Sequence, residues 1–205
     1  NSYMRKTLLG NSKSPTSPLA NSFIAALPSD LRAVMKSVTK YTDNTANGGG
    51  NQSSYVTATT DYLWLLAEFE VQGTRSYANS YEQNYQAQYQ YFKSGNSKIA
   101  YKYNATGTAV YWWLRSANYN NNNNFCNVNT DGSANNNNAN YSLALLPGFC
   151  DARSNGVANR RKTTFAKGDV LPWVKVLKTA LRRSHTDAAC MAKNCATFVS
   201  CVGSK

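Results

Sequence analysis

Few residues in this chain have types and spacings that could do chemistry. Glu68 and Glu70 follow closely on the apolar run at residues 62–66, and paired carboxylates can divide acid and base work between them. No further acid, histidine or metal-ligand set accompanies the pair, so the expected role is structural: one of them anchors a loop or offsets the charge of Arg115. Cys126 and Cys150 form a second pair. They read first as small buried residues, with a disulfide as the alternative. A reactive cysteine would need an exposed, stabilised thiolate. His185, Cys190, Cys195 and Cys201 make a chemically sensible zinc set, but their spacings are not the tight knuckles of zinc modules. Asp131 alone is no calcium site, because calcium needs several converging oxygen ligands. No cofactor is expected.

The elements that must position these groups centre on residues 111–117, Tyr-Trp-Trp-Leu-Arg-Ser-Ala. Trp112, Trp113 and Leu114 are a large apolar load that has to be buried, and Arg115 among them must find a partner or reach water. Immediately afterwards, 13 of the 23 residues from 118 to 140 are asparagine, which supplies amides and turn preference but almost no core. Phe125, Cys126 and Val128 interrupt the tract as a short strand would, and residues 130–133, Thr-Asp-Gly-Ser, form a turn signal. The apolar run at 143–149 closes it. The asparagines therefore decorate a folded scaffold rather than a disordered tract.

Three stretches, residues 111–116, residues 124–133 (Asn-Phe-Cys-Asn-Val-Asn-Thr-Asp-Gly-Ser) and residues 147–150 (Pro-Gly-Phe-Cys), resemble the C-terminal half of a C-type-lectin-like domain. That domain serves as the variable protein of diversity-generating retroelements in gut bacteria and their phages. There an error-prone reverse transcriptase randomises template adenines, and the favoured template codon encodes asparagine. The resemblance covers residues 1–150. It implies an α+β, C-type-lectin-like domain with two helices and short antiparallel strands. It also implies a variable, ligand-binding segment over about residues 117–142 containing Asn118, Tyr119, Asn120, Asn121, Asn122, Asn123, Asn124, Asn127, Asn129, Asn135, Asn136, Asn137, Asn138, Asn140, Tyr141 and Ser142. Trp112, Trp113, Arg115, Phe125 and Phe149 would be its fixed scaffold. Relatives commonly carry proline where this chain has Ala117 and serine where it has Ala67. The same overall fold resembles formylglycine-generating enzymes, which gives Cys126 and Cys150 an alternative reading as an oxidase site.

Along the rest of the chain, residues 1–22 read as a loop or docking arm around a short segment at 3–9. Ser29 can cap a helix ending by Lys40, with Leu31, Val34, Met35 and Val38 on one buried face. Residues 42–54, rich in Gly, Asn, Thr and Ser, read as a surface loop, and residues 62–66 as a buried strand. Tyr77, Tyr81, Tyr85 and Tyr89 recur at helical spacing and predict a helix over 76–93, closed by Gly95. Residues 99–103 alternate like a strand.

The net charge of +12 is uneven: residues 1–150 carry 11 basic and 7 acidic groups, a net of +4, whereas residues 151–205 carry 11 and 3, a net of +8. That second part reads as a basic, partly helical C-terminal extension, with an amphipathic helix through Val170, Trp173, Val174, Leu177 and Leu181. It is the candidate partner for a virion or surface anchor, and scattered Lys and Arg on a solvated face do not call for nucleic acid. No apolar run approaches the roughly 18 residues of a membrane span or offers a signal peptide, and a chain opening on Asn1 leaves room for a segment upstream. With 14 tyrosines, which give contact area at little conformational cost, the expectation is a non-enzymatic binder of a protein or glycan on a target cell, carried on a phage particle or cell surface. The alternative is an assembly component docking through the basic tail.

Overall fold

Trp112 and Trp113 are neighbours in sequence and belong to two different cores. Side chains alternate faces along a strand, so Trp112 packs with Trp64, Leu66, Val71, Phe92, Leu114 and Val128 in one cluster, while Trp113 packs with Leu9, Ile24, Leu31, Leu63, Leu65 and Phe149 in the other. The run at 63–66 splits the same way, Trp64 and Leu66 to the first core and Leu63 and Leu65 to the second.

These positions come from a computed structural model that describes residues 2–102 and 105–151 and the backbone of Cys195–Thr197. In chain order it contains a wide π turn (Met4–Leu8), helices α1 (Phe23–Ala26) and α2 (Ser29–Val34), strands β1 (Met35–Lys36), β2 (Val38–Asp43), β3 (Val56–Asp61) and β4 (Leu63–Leu65), helix α3 (Glu68–Gln72), a 3₁₀ turn (Ser80–Asn84), helix α4 (Gln90–Lys93), and strands β5 (Ala100–Lys102), β6 (Ala105–Val110), β7 (Trp112–Ala117), β8 (Asn124–Val128), β9 (Ala134–Asn138), β10 (Ala144–Leu145), β11 (Pro147–Asp151) and β12 (Cys195–Thr197). The class is α+β, with a few short helices and mostly antiparallel strands.

One sheet is built on β11, with β4 and β1 along one edge and β12 along the other. A second runs β10-β7-β8-β9, parallel only between β10 and β7. β2–β3 and β5–β6 are separate antiparallel ribbons. Among the described residues no helix is long and apolar enough to cross a membrane. The zinc set around Cys190 and Cys201, and the amphipathic helix at 170–181, lie outside the described residues.

Both long helices expected from periodicity are replaced by shorter elements. The first ends at Val34, because Met35 turns to extended backbone, φ −63° and ψ 137°, and pairs with Asp151. β-branched Val38 and Thr39 then join a ribbon with residues 56–61. Over 76–93 only Ser80–Asn84 and Gln90–Lys93 are helical. The tyrosines point to separate partners: Tyr85 stacks on Tyr41 with ring centroids 4.3 Å apart, and the Tyr89 hydroxyl accepts from Lys40 Nζ at 2.8 Å. Tertiary anchors outweigh the weak helix propensity of this Asn-, Ser- and Tyr-rich stretch. The expected loop at 42–54 also starts late, since Thr42 and Asp43 are buried at the end of β2.

Candidate functional site

β7 carries the supports of the asparagine segment on both of its faces. Trp112 Nε1 donates to Lys98 O at 2.9 Å, and Arg115 forms the electrostatic anchor. Its guanidinium grips Glu70 with two bonds, Nη1 to Oε2 at 2.5 Å and Nη2 to Oε1 at 3.0 Å, while Nε donates to Thr42 Oγ1 and Nη1 to Leu65 O. Lys40 Nζ reaches the same carboxylate at 3.2 Å. Burial alone would push the Glu70 carboxyl up, but the charges of Arg115 and Lys40 and the hydrogen bonds from Arg115 and the Ala67 N–H outweigh it and hold the pKa at about 2. Both expected duties of the paired carboxylates are therefore filled. Glu70 offsets Arg115, and Glu68, fully buried, accepts the N–H groups of Tyr77 and Ala78 and so pins the following loop.

Glu82, whose spacing from Asn79 suggests a helix cap, is instead a further buried carboxylate. Glu82 accepts from Asp43 N–H at 2.9 Å, Ser116 Oγ at 2.7 Å and Gln86 Nε2 at 3.0 Å. Among the described residues no cation pairs with it directly, and burial pushes its pKa up to about 7 against those hydrogen bonds. Asn79, also missed as a core residue, donates to Asp43 Oδ2 and to Gln52 O. The pattern Asn79 to Glu82 has the spacing of a capping pair, and Asn79 does accept from Tyr81 N–H, but Glu82 turns inward to contacts that are remote in sequence.

The asparagine segment is held by its backbone. Asn118 N–H donates to Asn124 O, Tyr119 N–H to Tyr77 O, Gly50 N–H to Tyr119 O and Ala139 N–H to Asn123 O, all between 2.8 and 3.0 Å. Gly48 backs the loop at a φ of +65°, where an added Cβ would stand 2.8 Å from the Asn122 nitrogen. Arg75 lies over the Tyr119 ring at 4.5 Å.

The sixteen expected ligand positions divide by environment. Asn120, Asn121, Asn122, Asn123, Asn138, Asn140, Tyr141 and Ser142 are exposed, and Tyr119, Asn124, Asn129, Asn135, Asn136 and Asn137 are half-buried. Asn118 and Asn127 are buried, which corrects their placement on the surface. Asn127 sits opposite Trp113 in the β7–β8 register and so faces the second core, while the Asn118 amide crosses to Asn136 Oδ1 at 3.1 Å. Asn136 Oδ1 also accepts from Asn124, Asn127 Oδ1 from Asn137, and Asn129 Oδ1 from Asn135. The exposed side chains of Asn120, Asn122, Asn123, Asn138 and Asn140 make no hydrogen bond among the described residues. Of the expected scaffold, Trp112, Trp113 and Phe149 are buried, Phe125 packs half-buried on the second core, and the Arg115 side chain is 12% exposed.

The two cysteines do not form a pair. Cys126 is a free, buried thiol whose pKa is pushed well above its ordinary value by burial and by the nearby carboxylates of Glu68 and Glu82, and Cys150 is disulfide-bonded. Asp131 is exposed and accepts from the Ser133 hydroxyl and N–H, which lower its pKa and close the 129–133 turn.

No curated protein and no solved structure matches the chain. A family profile described as a domain of unknown function, DUF6273, matches residues 3–150. That span takes in both cores, the buried carboxylates and the whole asparagine segment, and the chain belongs to the DUF6273 family.

Proposed function

We propose that the chain is a non-enzymatic binding protein that displays a diversified asparagine-, tyrosine- and serine-rich surface on a C-type-lectin-like scaffold. In this reading it is the variable protein of a diversity-generating retroelement, mounted on a phage particle or cell surface. Its partner is a protein or glycan on a target cell.

The observation that carries the reading is the separation of backbone support from side-chain identity at the exposed positions. Main-chain bonds at Asn118, Tyr119, Asn123 and Ala139 fix the course of the segment, whereas Asn120, Asn122, Asn123, Asn138 and Asn140 project side chains that hold nothing among the described residues. Substitutions at such positions change stability by about 0.5 kcal/mol or less, so the surface is free to explore binding. Affinity then comes from which residues arrive there: aromatic and Arg side chains anchor partners, and asparagine supplies adaptable hydrogen bonds.

The test is to sequence residues 110–150 in many copies of this gene from one population. Substitutions concentrated at the exposed asparagine, tyrosine and serine positions, with Trp112, Trp113, Arg115 and Phe149 constant, support the reading. A uniform segment, or changes spread equally over scaffold and surface, overturns it.

A further inference from the structure

Between the β2–β3 ribbon, the N-terminal π turn and the β7–β8 pair lies a cavity of about 410 Å³. That volume is within the range of roughly 300–1,000 Å³ typical of small-molecule sites. Leu9, Leu63, Leu65, Trp113 and Phe125 line one side, and Thr42, Thr59 and Asp61 line the other. Its exposed lining residues, Ser2, Asn44 and Ala139, mark the mouth.

Both cations in the wall are already paired within the protein, and its carboxylates are hydrogen-bonded or ion-paired. Arg115 is held by Glu70, and Asp61 Oδ1 meets Arg5 Nε at 2.6 Å, at ion-pair distance though off the donor axis. Asp61 Oδ2 accepts from Thr59, and Asp43 accepts from Thr45 and Asn79. An anionic guest would lose its hydration and find no unpaired cation, and a cationic one would find only Asp43, whose two oxygens already accept from Thr45 and Asn79. Two donors remain unused among the described residues, the Trp64 indole N–H and the Thr42 hydroxyl, and of the two Thr42 lies on the β2–β3 side of the cavity. Thr42 is 4% exposed; its oxygen accepts from Arg115 Nε at 2.6 Å, and no described residue accepts its hydroxyl proton.

We propose that this cavity binds one small neutral molecule with an apolar body and a carbonyl or ether oxygen that accepts from Thr42. The apolar body lies against Trp113, Phe125 and the leucines, and the oxygen faces the β2–β3 ribbon. Phe125 and Ala139 of the lining belong to the asparagine segment but are not among its expected variable positions, and the proposal stands whether or not that surface is diversified.

The neutral naphthalene ketone Prodan has the required shape, and its emission shifts to the blue in apolar surroundings. Titrated into the full chain, it is expected to bind saturably at one site per chain. The anionic anilinonaphthalene sulfonate is expected to bind at least tenfold more weakly. Ala139→Trp at the mouth and Thr59→Phe in the wall each narrow the cavity and are expected to weaken Prodan binding at least tenfold, with folding checked by the unfolding midpoint. If one variant does not fold, the other carries the test. No saturable shift with the unaltered chain, equal binding of the anion, or unchanged Prodan affinity in a folded variant would each overturn the proposal.

Discussion

Arg115 and Glu70 meet in a two-bond ion pair that ties β7 to the first turn of α3, with Lys40 of β2 as a second cation on the same carboxylate. Three elements distant in sequence thus converge on one anion. Removing one partner from a buried pair leaves uncompensated charge, which costs about 3–5 kcal/mol.

Glu70→Gln is therefore expected to lower unfolding free energy by that amount at pH 7, read by urea denaturation. The folded pKa of about 2 lies below the ordinary 4.5, so the stabilisation is complete above pH 4.5 and is lost as pH falls toward 2. It is on the order of 3 kcal/mol. The gap between native and variant proteins should close over that window. A gap that stays constant down to pH 2 would show that the charge of Glu70 is not what stabilises the junction.

Glu82 has the opposite sign. Its folded pKa of about 7 lies above the ordinary 4.5, so the folded state holds a proton that the unfolded chain has released between those values. Stability from this group is complete below pH 4.5 and declines as pH rises through 7, by on the order of 3 kcal/mol once the group is ionised. Glu82→Gln, with the Ser116 hydroxyl turning to accept, is expected to flatten the decline between pH 5 and 8. A variant curve parallel to the native one would assign the slope to other groups.

Asparagines of one tract should differ sharply in tolerance. Asn122→Ala is expected to move the unfolding free energy by about 0.5 kcal/mol or less. Asn127→Ala removes the buried acceptor of Asn137 and should cost about 1–3 kcal/mol. Equal costs in thermal or urea unfolding would contradict the division between displayed and structural amides.

At the start of α3, Ala67 N–H donates to Glu70 Oε2 at 3.0 Å, which is half of a reciprocal cap. Ala67 has no hydroxyl to supply the other half. Ala67→Ser is expected to raise stability by about 0.5–1 kcal/mol, visible as a higher unfolding midpoint. A lower midpoint would mean that the fully buried position has no room for the added oxygen.

What was legible in the sequence was set by local composition. The apolar run at 62–66 could only be a buried strand, Phe125 and Val128 marked β8 within the asparagines, and a lone Arg115 beside two tryptophans called for one of two nearby carboxylates. The helix expected at 76–93 failed because four tyrosines at helical spacing say nothing about where each ring finds a partner; Tyr85 finds Tyr41 and Tyr89 finds Lys40. Periodicity likewise could not foresee that Met35 would leave its helix to pair with Asp151. The burial of Asn127 depends on its register with Trp113, and that of Glu82 on Asp43 and Ser116. Both are properties of pairing across the fold.

The bonded asparagines around Asn136 suit a surface of the diversified kind proposed above. A primary amide carries a donor and an acceptor on a nearly symmetric fork, so a half-turn about its last bond exchanges the two. Asn136 serves both Asn118 and Asn124 through one oxygen. If Asn124 is replaced, Asn136 keeps its bond to Asn118; to offer its nitrogen to an acceptor Asn136 would have to rotate, and the Asn118 amide would have to rotate with it. A carboxylate in the same place would lack that reversibility. The tract behaves as a set of two-way couplings in which one donor can be lost without disturbing the next bond, whereas a reversal passes along the chain of amides.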